Sequence, residues 1–347
     1  MGNKIEDLLK QAYFAGASDL HITVDSPPIM RINGVLKPIG DTPLTSSDTL
    51  ELVKSIIPDE NLDIFNQKGE LDFSFDLQGI SRYRMNVFRQ RKKISLAARV
   101  IPNKIPTLQQ LDLPDVLQQL ALKSHGLFLV TGPTGSGKST TLAAMLDFVN
   151  KNEAKHIVTL EDPIEYIHKH EKSIVNQREV GFDTNSFSNG LRAALRQDPD
   201  IILVGEMRDY ETISTALTAA ETGHLVLATL HTNSAAQTIN RIIDAFPPHQ
   251  QAQVRIQLSL VLVGIVSQRL LPNRDETGRV AATELLVNQP SVANLIRNEK
   301  VDQIINVLQT SRAQGMHTLQ MSIQNLIEKD KISLQYALNT LDYEGDI

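Results

Sequence analysis

Cysteine is absent from the 347 residues, which excludes disulfides, thiolate chemistry and cysteine-based zinc sites and is compatible with a reducing compartment. No long apolar run is present either. The longest, LSLVLVGIVS at 258–267, is about half of the roughly 20 residues that a bilayer span needs, so it predicts a buried helix. The start, MGNKIEDLLK, has no apolar signal segment behind it, and Glu6 stands where a myristoylation motif wants Ser or Thr. A cytoplasmic chain with at most peripheral membrane contact is the expectation. A large excess of one charge is also missing: 34 basic against 40 acidic residues give no global attraction to nucleic acid and leave only a local basic stripe to supply one. Internal repeats and low-complexity tracts are not evident.

What is present divides into two parts. Residues 3–15 have the spacing of a short amphipathic helix, and ASDLHITVDSPPIMRINGVLKPI alternates apolar and polar residues around Pro27-Pro28 and Asn33-Gly34, as strands and a hairpin do. A helical stretch near 46–66 and three more strand candidates in ELDFSFDLQGISRYRMNVFRQRKKISLAARVI complete a small α+β domain over 1–100. The proline-rich IPNKIPTLQQLDLP marks a linker over 101–115. From LFLVTG onward strands alternate with helices, the pattern of an α/β domain over 116–347, with a helical carboxyl segment from about 285 that includes an amphipathic helix pair in GMHTLQMSIQNLIEKDKIS.

GPTGSGKST lies between a strand-like run and a helical pattern, the context in which Gly132, Pro133, Thr134, Gly135, Ser136, Gly137, Lys138, Ser139 and Thr140 form a phosphate loop. Glycines let backbone N–H groups close on phosphate at a helix N-terminus, Lys138 bridges the β and γ phosphates, and Ser139 holds magnesium. ATP is expected over GTP because no Asn-Lys-x-Asp-like guanine reader appears. HIVTLEDPIEYI puts Glu161, Asp162 and Glu165 after a β run, where Glu161 and Asp162 are placed to approach magnesium. DPDIILVGEMRD carries four apolar residues, Ile201 to Val204, then Gly205 where an ordinary Walker B strand has Asp, then Glu206. The metal-holding role is therefore expected at Glu161 or Asp162, through water, with Glu206 polarising the attacking water. In GHLVLATLHTNSA a further strand ends at His231, a candidate sensor of the γ phosphate, and His224 before the strand is a candidate for similar work or for a structural role.

Between Arg82 and Arg99 stand seven basic residues and no acid: Arg82, Arg84, Arg89, Arg91, Lys92, Lys93 and Arg99. Arg82 and Arg84 share one face of a strand. A nucleic acid backbone, an acidic lipid, the triphosphate of a neighbouring subunit and plain solvent all remain open as what that face meets. Neither a continuing stripe nor stacking aromatics favours nucleic acid.

Taken in order, GPTGSGKST, TLEDPIE, DPDIILVGEMRD and GHLVLATLHTNSA resemble the Walker A motif, Asp box, atypical Walker B motif and His box of the type II/type IV secretion ATPase superfamily. GASDLHI, PPIMRINGVL and SRYRMNVF further resemble the PilT-type retraction ATPases of type IV pili. That resemblance implies a RecA-like carboxyl domain, a PAS-like amino domain, a homohexameric ring, ATP and Mg2+ as cofactors, and action on the inner-membrane platform protein of the pilus machine, with a second retraction ATPase as a possible partner and no nucleic acid. It also implies Glu206 as catalytic glutamate, His231 as the His-box residue, Glu161 in the metal or water network, and Arg82, Arg84 and Arg99 completing a site at a domain or subunit junction. The segment SVANLIRNEK at 291–300 keeps Asn294, Leu295, Ile296 and Arg297 of the retraction family's pattern and differs at both ends. A short assembly or competence ATPase, an accessory paralogue, a DNA translocase and a non-catalytic scaffold are the competing functions.

Overall fold

The computed structural model describes residues 4–32, 34–58, 61–101 and 104–336. Contacts divide the chain into two units, Met1–Lys104 and Ile105–Ile347.

In the first unit, α1 (Lys4–Phe14) buries Ile5, Leu9 and Ala12, the stripe that a 3.6-residue repeat puts on one face. Then come β1 (Asp19–Ile22), β2 (Ile29–Ile32), β3 (Val35–Pro38), α2 (Ser46–Lys54), α3 (Leu62–Lys68), β4 (Glu70–Leu77), β5 (Ser81–Gln90) and β6 (Lys93–Ile101). The strands form one antiparallel sheet in the order β3-β2-β1-β6-β5-β4. The helical stretch expected at 46–66 is thus two helices. A capping box starts the first: Asp48 N–H donates to Thr45 Oγ1 and Thr45 N–H donates to the Asp48 carboxylate. Pro58, with no N–H to give a helix, lies between them. Along β5, Ser81, Tyr83, Met85 and Val87 are buried while Arg82, Arg84 and Asn86 are half-buried on the other face. The buried Tyr83 hydroxyl donates to Leu9 O at 2.9 Å and ties α1 to the sheet. Burial pushes that phenol up to about 12.

Strands of the second unit obey a different rule. Every residue of β7 (Gly126–Thr131), β10 (Ile201–Val204) and β11 (Leu225–Leu230) is buried, as in a sheet covered on both faces. With β8 (His156–Glu161), β9 (Ile174–Glu179), β12 (Leu262–Pro272) and β13 (Arg279–Val287) they form a seven-stranded sheet ordered β13-β12-β7-β11-β10-β8-β9. All neighbours are parallel except β12 and β13. One face packs on α4 (Val116–Ala121) and α5 (Lys138–Asn152). The other packs on α6 (Phe187–Ala194), α7 (Tyr210–Glu221), α8 (Ala235–Asp244), α9 (Pro248–Val261), α10 (Pro290–Arg297) and α11 (Ile304–Thr310). α12 (Leu319–Glu328) closes a smaller cluster against β13.

One expectation needs correction, and two others are given finer bounds. The apolar run 258–267 is not one helix: α9 ends at Val261, and from Leu262 the chain is a strand whose Ile265 and Val266 stand opposite Leu129 and Val130. β-Branched residues beside a buried central strand favour the pleat over the helix. Within the linker expected over 101–115, Leu108 and Leu113 are buried in the core under α4 and α5. The carboxyl helices begin at Pro290, since 285–287 belong to β13. Of the helix pair expected at the end, α12 is present and a second helix starts at 334; its course beyond 336 lies outside the described residues. Among the described residues no helix is long and apolar enough to cross a membrane.

Candidate active site

β7 sits between β11 on one side and β12 on the other; the chain leaves it for β8 beyond β11 and later passes from β11 to β12 on its other side, so the strand order reverses here and a crevice opens at its carboxyl end. Residues 132–140 fill that position. Gly132 has φ 141°, and a Cβ on it would come within 2.3 Å of Gln268 O and 2.7 Å of Ser136 Oγ. Gly135 and Gly137 have φ 79° and 87°, and Gly137 caps α5, whose first residue is Lys138. Pro133, Thr134, Gly135 and Ser139 are exposed, and Thr140 is half-buried with its hydroxyl 3.0 Å from Tyr166 Oη.

Lys138 is buried, and its Nζ donates to Gly132 O at 2.9 Å and Pro133 O at 3.0 Å. Burial lowers its pKa, and the charge of Glu206 partly restores it. The ammonium has three N–H donors, so one remains for an anion.

Glu206 comes just after β10 and is met by two basic groups on the same oxygen: Arg208 Nε at 2.6 Å and His231 Nε2 at 3.1 Å from Oε1. Burial would raise this carboxyl, but the hydrogen bond from Arg208 and the charge of His231 outweigh it and hold the pKa below the usual carboxylate value. Gly205 is glycine for a visible reason. A Cβ there would stand 3.1 Å from Leu160 O and 3.3 Å from Glu161 Cα, so the backbone of the strand that carries Glu161 would crowd any side chain at this position.

Glu161, at the end of β8, lies among neutral donors: Thr159 Oγ1 donates to its Oε1 at 2.6 Å and Gln177 Nε2 at 3.1 Å. Burial raises its pKa against these hydrogen bonds. Asp162 and Glu165 are exposed on the loop after β8.

The structure thus brings the phosphate loop, Glu161, Glu206 and His231 to the carboxyl edge of one sheet. His224 lies apart from them, as its structural reading expects. It precedes β11, where Gly126 N–H donates to its carbonyl at 3.0 Å, and its ring Nδ1 lies 3.0 Å from Ala219 O at the end of α7. Six residues of strand separate it from His231, roughly 20 Å at the usual strand rise, so it caps a helix at the opposite edge. Arg82, Arg84 and Arg99 belong to the other unit; Arg84 stands directly opposite Arg99 across β5 and β6, and Arg99 Nε is paired with Asp19 at 2.9 Å. Lys93 is likewise paired with Asp25 at 3.1 Å, so acids from distant sequence neutralise part of a stripe that looks purely basic along the chain.

Three residues escape a reading of the sequence. Arg208 lies two positions past Glu206, within a segment already singled out. Gln177 on β9 has no local signal. Gln268 has a faint one, an amide within the strand segment VSQRLL that follows an apolar run.

Nucleotide and magnesium fit these residues. Ser136 Oγ is buried without a hydrogen-bond partner inside the loop, the glycines leave a cradle that side chains would fill, and Ser139, Glu161 and Asp162 offer the hard oxygens magnesium takes. No group of three His, Asp or Glu among the described residues is arranged to cage a metal alone.

A phosphate loop at the switch point of a largely parallel sheet, with carboxylates on two nearby strand ends, defines a RecA-like P-loop nucleoside triphosphatase. The profile of the family described as "Type II/IV secretion system protein" matches residues 2–338. The chain is 48% identical over 333 residues to the type IV pilus retraction ATPase PilT of Pseudomonas aeruginosa, covering 96% of each. It is 43% identical over 344 residues to the type IV pilus ATPase PilU of the same organism, covering 99% of this chain and 90% of that one. A crystal structure of the pilus retraction motor PilT with bound ADP superposes with a TM-score of 0.92 at 50% identity, over 97% of this chain and 96% of the other. The chain belongs to the type II/IV secretion ATPase family, within its PilT/PilU-like type IV pilus retraction ATPases.

Proposed function

We propose that this chain hydrolyses ATP as a homohexameric ring at the cytoplasmic face of the inner membrane and drives pilus retraction by acting on the platform protein of the pilus machine. The observation that carries the hydrolytic part is the Glu206 carboxylate, held by His231 and Arg208 within electrostatic reach of the phosphate-loop Lys138. The near full-length similarity to PilT supports the direction of the motor.

In this reading the loop N–H groups and Lys138 bind the phosphates. Glu206 orients the attacking water and accepts its proton, while His231 keeps the carboxylate aimed and links it to the γ phosphate. Bound magnesium would be held by Ser139, with Glu161 and Asp162 behind it, and would neutralise charge that develops on the phosphates. Arg82, Arg84 and Arg99 are proposed to meet the triphosphate of a neighbouring subunit, and the amino-terminal unit is proposed to be PAS-like.

The first test is the ATPase rate and solution mass of the purified chain, with and without DNA. A hexamer with magnesium-dependent hydrolysis indifferent to DNA supports the ring motor; a monomer, no turnover or strong DNA stimulation rejects it. In cells, deletion should leave surface pili that do not retract, whereas bald cells would place the chain in assembly. The similarity to PilU over 99% of the chain favours, as a second reading, an accessory paralogue. That reading expects deletion of the chain alone to leave retraction working while another retraction ATPase is present.

A further inference from the structure

We infer that Gln268 on β12 is a positioning residue for the phosphate cradle, acting through the peptide between Ser136 and Gly137. Its amide is buried, with 2% of the residue exposed, and it makes two bonds: Nε2 donates to Ser136 O at 2.6 Å, and Oε1 accepts from Thr141 Oγ1 at 2.9 Å. The orientation is forced by chemistry. A backbone carbonyl only accepts, so the nitrogen must face Ser136, and the oxygen is left for the Thr141 hydroxyl.

The planarity of the peptide gives this bond its consequence. The C=O of Ser136 and the N–H of Gly137 belong to one rigid trans unit and point in opposite directions. Pulling the carbonyl toward β12 therefore aims the Gly137 N–H away from β12, toward the concave side where phosphate binds. Gly137 has φ 87°, and glycine leaves this peptide freer to rotate than any other residue would. Gln268 supplies the restraint that the glycine lacks.

β12 also passes close to the glycines at both ends of the loop, whose positive φ already disfavours a side chain. A Cβ on Gly132 would lie 2.3 Å from Gln268 O, and one on Gly137 would lie 3.1 Å from Gln268 Nε2. β12 is held at that height by its register with β7 and by the Thr131 and Ser267 hydroxyls, 2.7 Å apart. Packing alone does not account for an amide here. Val266 beside it is fully buried, and burying an amide costs free energy unless its hydrogen bonds are made.

The inference rests on the nucleotide reading, and its test separates the two. Gln268→Met keeps the volume and removes both bonds; Thr141→Val removes only the orienting hydroxyl. Calorimetric titration of the full chain with MgADP, together with steady-state kinetics for ATP, reads the effect. A hydrogen bond to a charged phosphate predicts that Kd for ADP and KM for ATP rise together by about 10- to 100-fold in Gln268→Met, with kcat within about threefold. Thr141→Val should cost about threefold, and adding it to Gln268→Met should cost nothing more, because both act on the same peptide. The nucleotide-free melting temperature of Gln268→Met should stay within a few degrees of wild type. Should the Met variant fail to fold, Gln268→Glu keeps the shape and turns an acceptor toward the Ser136 carbonyl, and it should lose ADP affinity by at least as much. Unchanged ADP affinity in the folded variant, or losses that add in the double variant, would overturn the inference. Wild-type chain that binds no ADP would overturn the nucleotide reading with it.

Discussion

The ends of β8 and β10 lie side by side, with Leu160 opposite Val204, and each delivers a glutamate to the same edge, yet their carboxyls are driven in opposite directions. Glu161 is surrounded by a hydroxyl and an amide, and burial raises its pKa. Glu206 is also partly buried, but Arg208 and His231 more than offset the burial. Proximity in the sheet does not set the chemistry of these acids; how deeply each is buried and the charge of its partners do. Glu206 is ionised at neutral pH with Oε1 engaged, as a group that aims a water must be. Glu161 is a carboxyl whose charge is costly until a cation joins it, which suits a place behind magnesium.

The sharpest break of this comparison is Glu206→Gln. It should lower turnover by about 10³-fold while leaving ATP affinity within about threefold, since it removes charge at the water and leaves the cradle intact. Equal losses in binding and turnover would return Glu206 to a structural role. Glu161→Gln should cost less, about 10- to 100-fold in turnover, as expected for a group that acts on the metal from outside its first ring of donors.

The same substitution should carry an opposite sign in stability. A carboxyl whose folded pKa is raised contributes stability below its unfolded pKa and loses it as pH rises through the folded value. Nucleotide-free Glu161→Gln should therefore melt above wild type at pH 8, with the difference closing toward pH 4. Glu206 has the lowered pKa, so its contribution is present above the unfolded value and is lost as pH falls through the folded one. Melting curves of the two Gln variants across that range should diverge in opposite directions.

Smaller effects probe the partners. Arg208→Ala should move the acid limb of kcat/KM to higher pH, because the hydrogen bond that holds Glu206 ionised is gone, with turnover at pH 8 within about tenfold; an unmoved limb would detach Arg208 from Glu206. His224→Ala should leave kcat/KM within about twofold and cost roughly 1 kcal/mol of stability, or about 2 to 4 °C, as loss of a helix-end contact does. A large kinetic loss there would put both ends of β11 in the site.

Much of this site was legible along the chain. GPTGSGKST between a strand and a helix is a local pattern, and so are the acids at Glu161 and Glu206 and the imidazole at His231, each just past an apolar run. The absence of an Asp at position 205 was legible too, but the crowding there was not, since only the sheet shows Leu160 O 3.1 Å from a Cβ at that position. The partners of the basic stripe near Arg84 were hidden for the same reason: Asp19 and Asp25, which pair with Arg99 and Lys93, are far away in sequence.

Sequence by itself determined the features that depend on a few consecutive residues: the α/β alternation, the phosphate loop and the residues that end each strand. Helical and strand periodicities, glycine conformations and caps are settled within about four residues, so they are written locally. Tertiary structure alone decided strand order, the change from helix to strand at Leu262, the burial of Leu108 and Leu113, and the pairing of Gln268 with Ser136. Each of these depends on which distant segments share a sheet or a core, and that outcome is set by the packing of the whole chain rather than by any window of it.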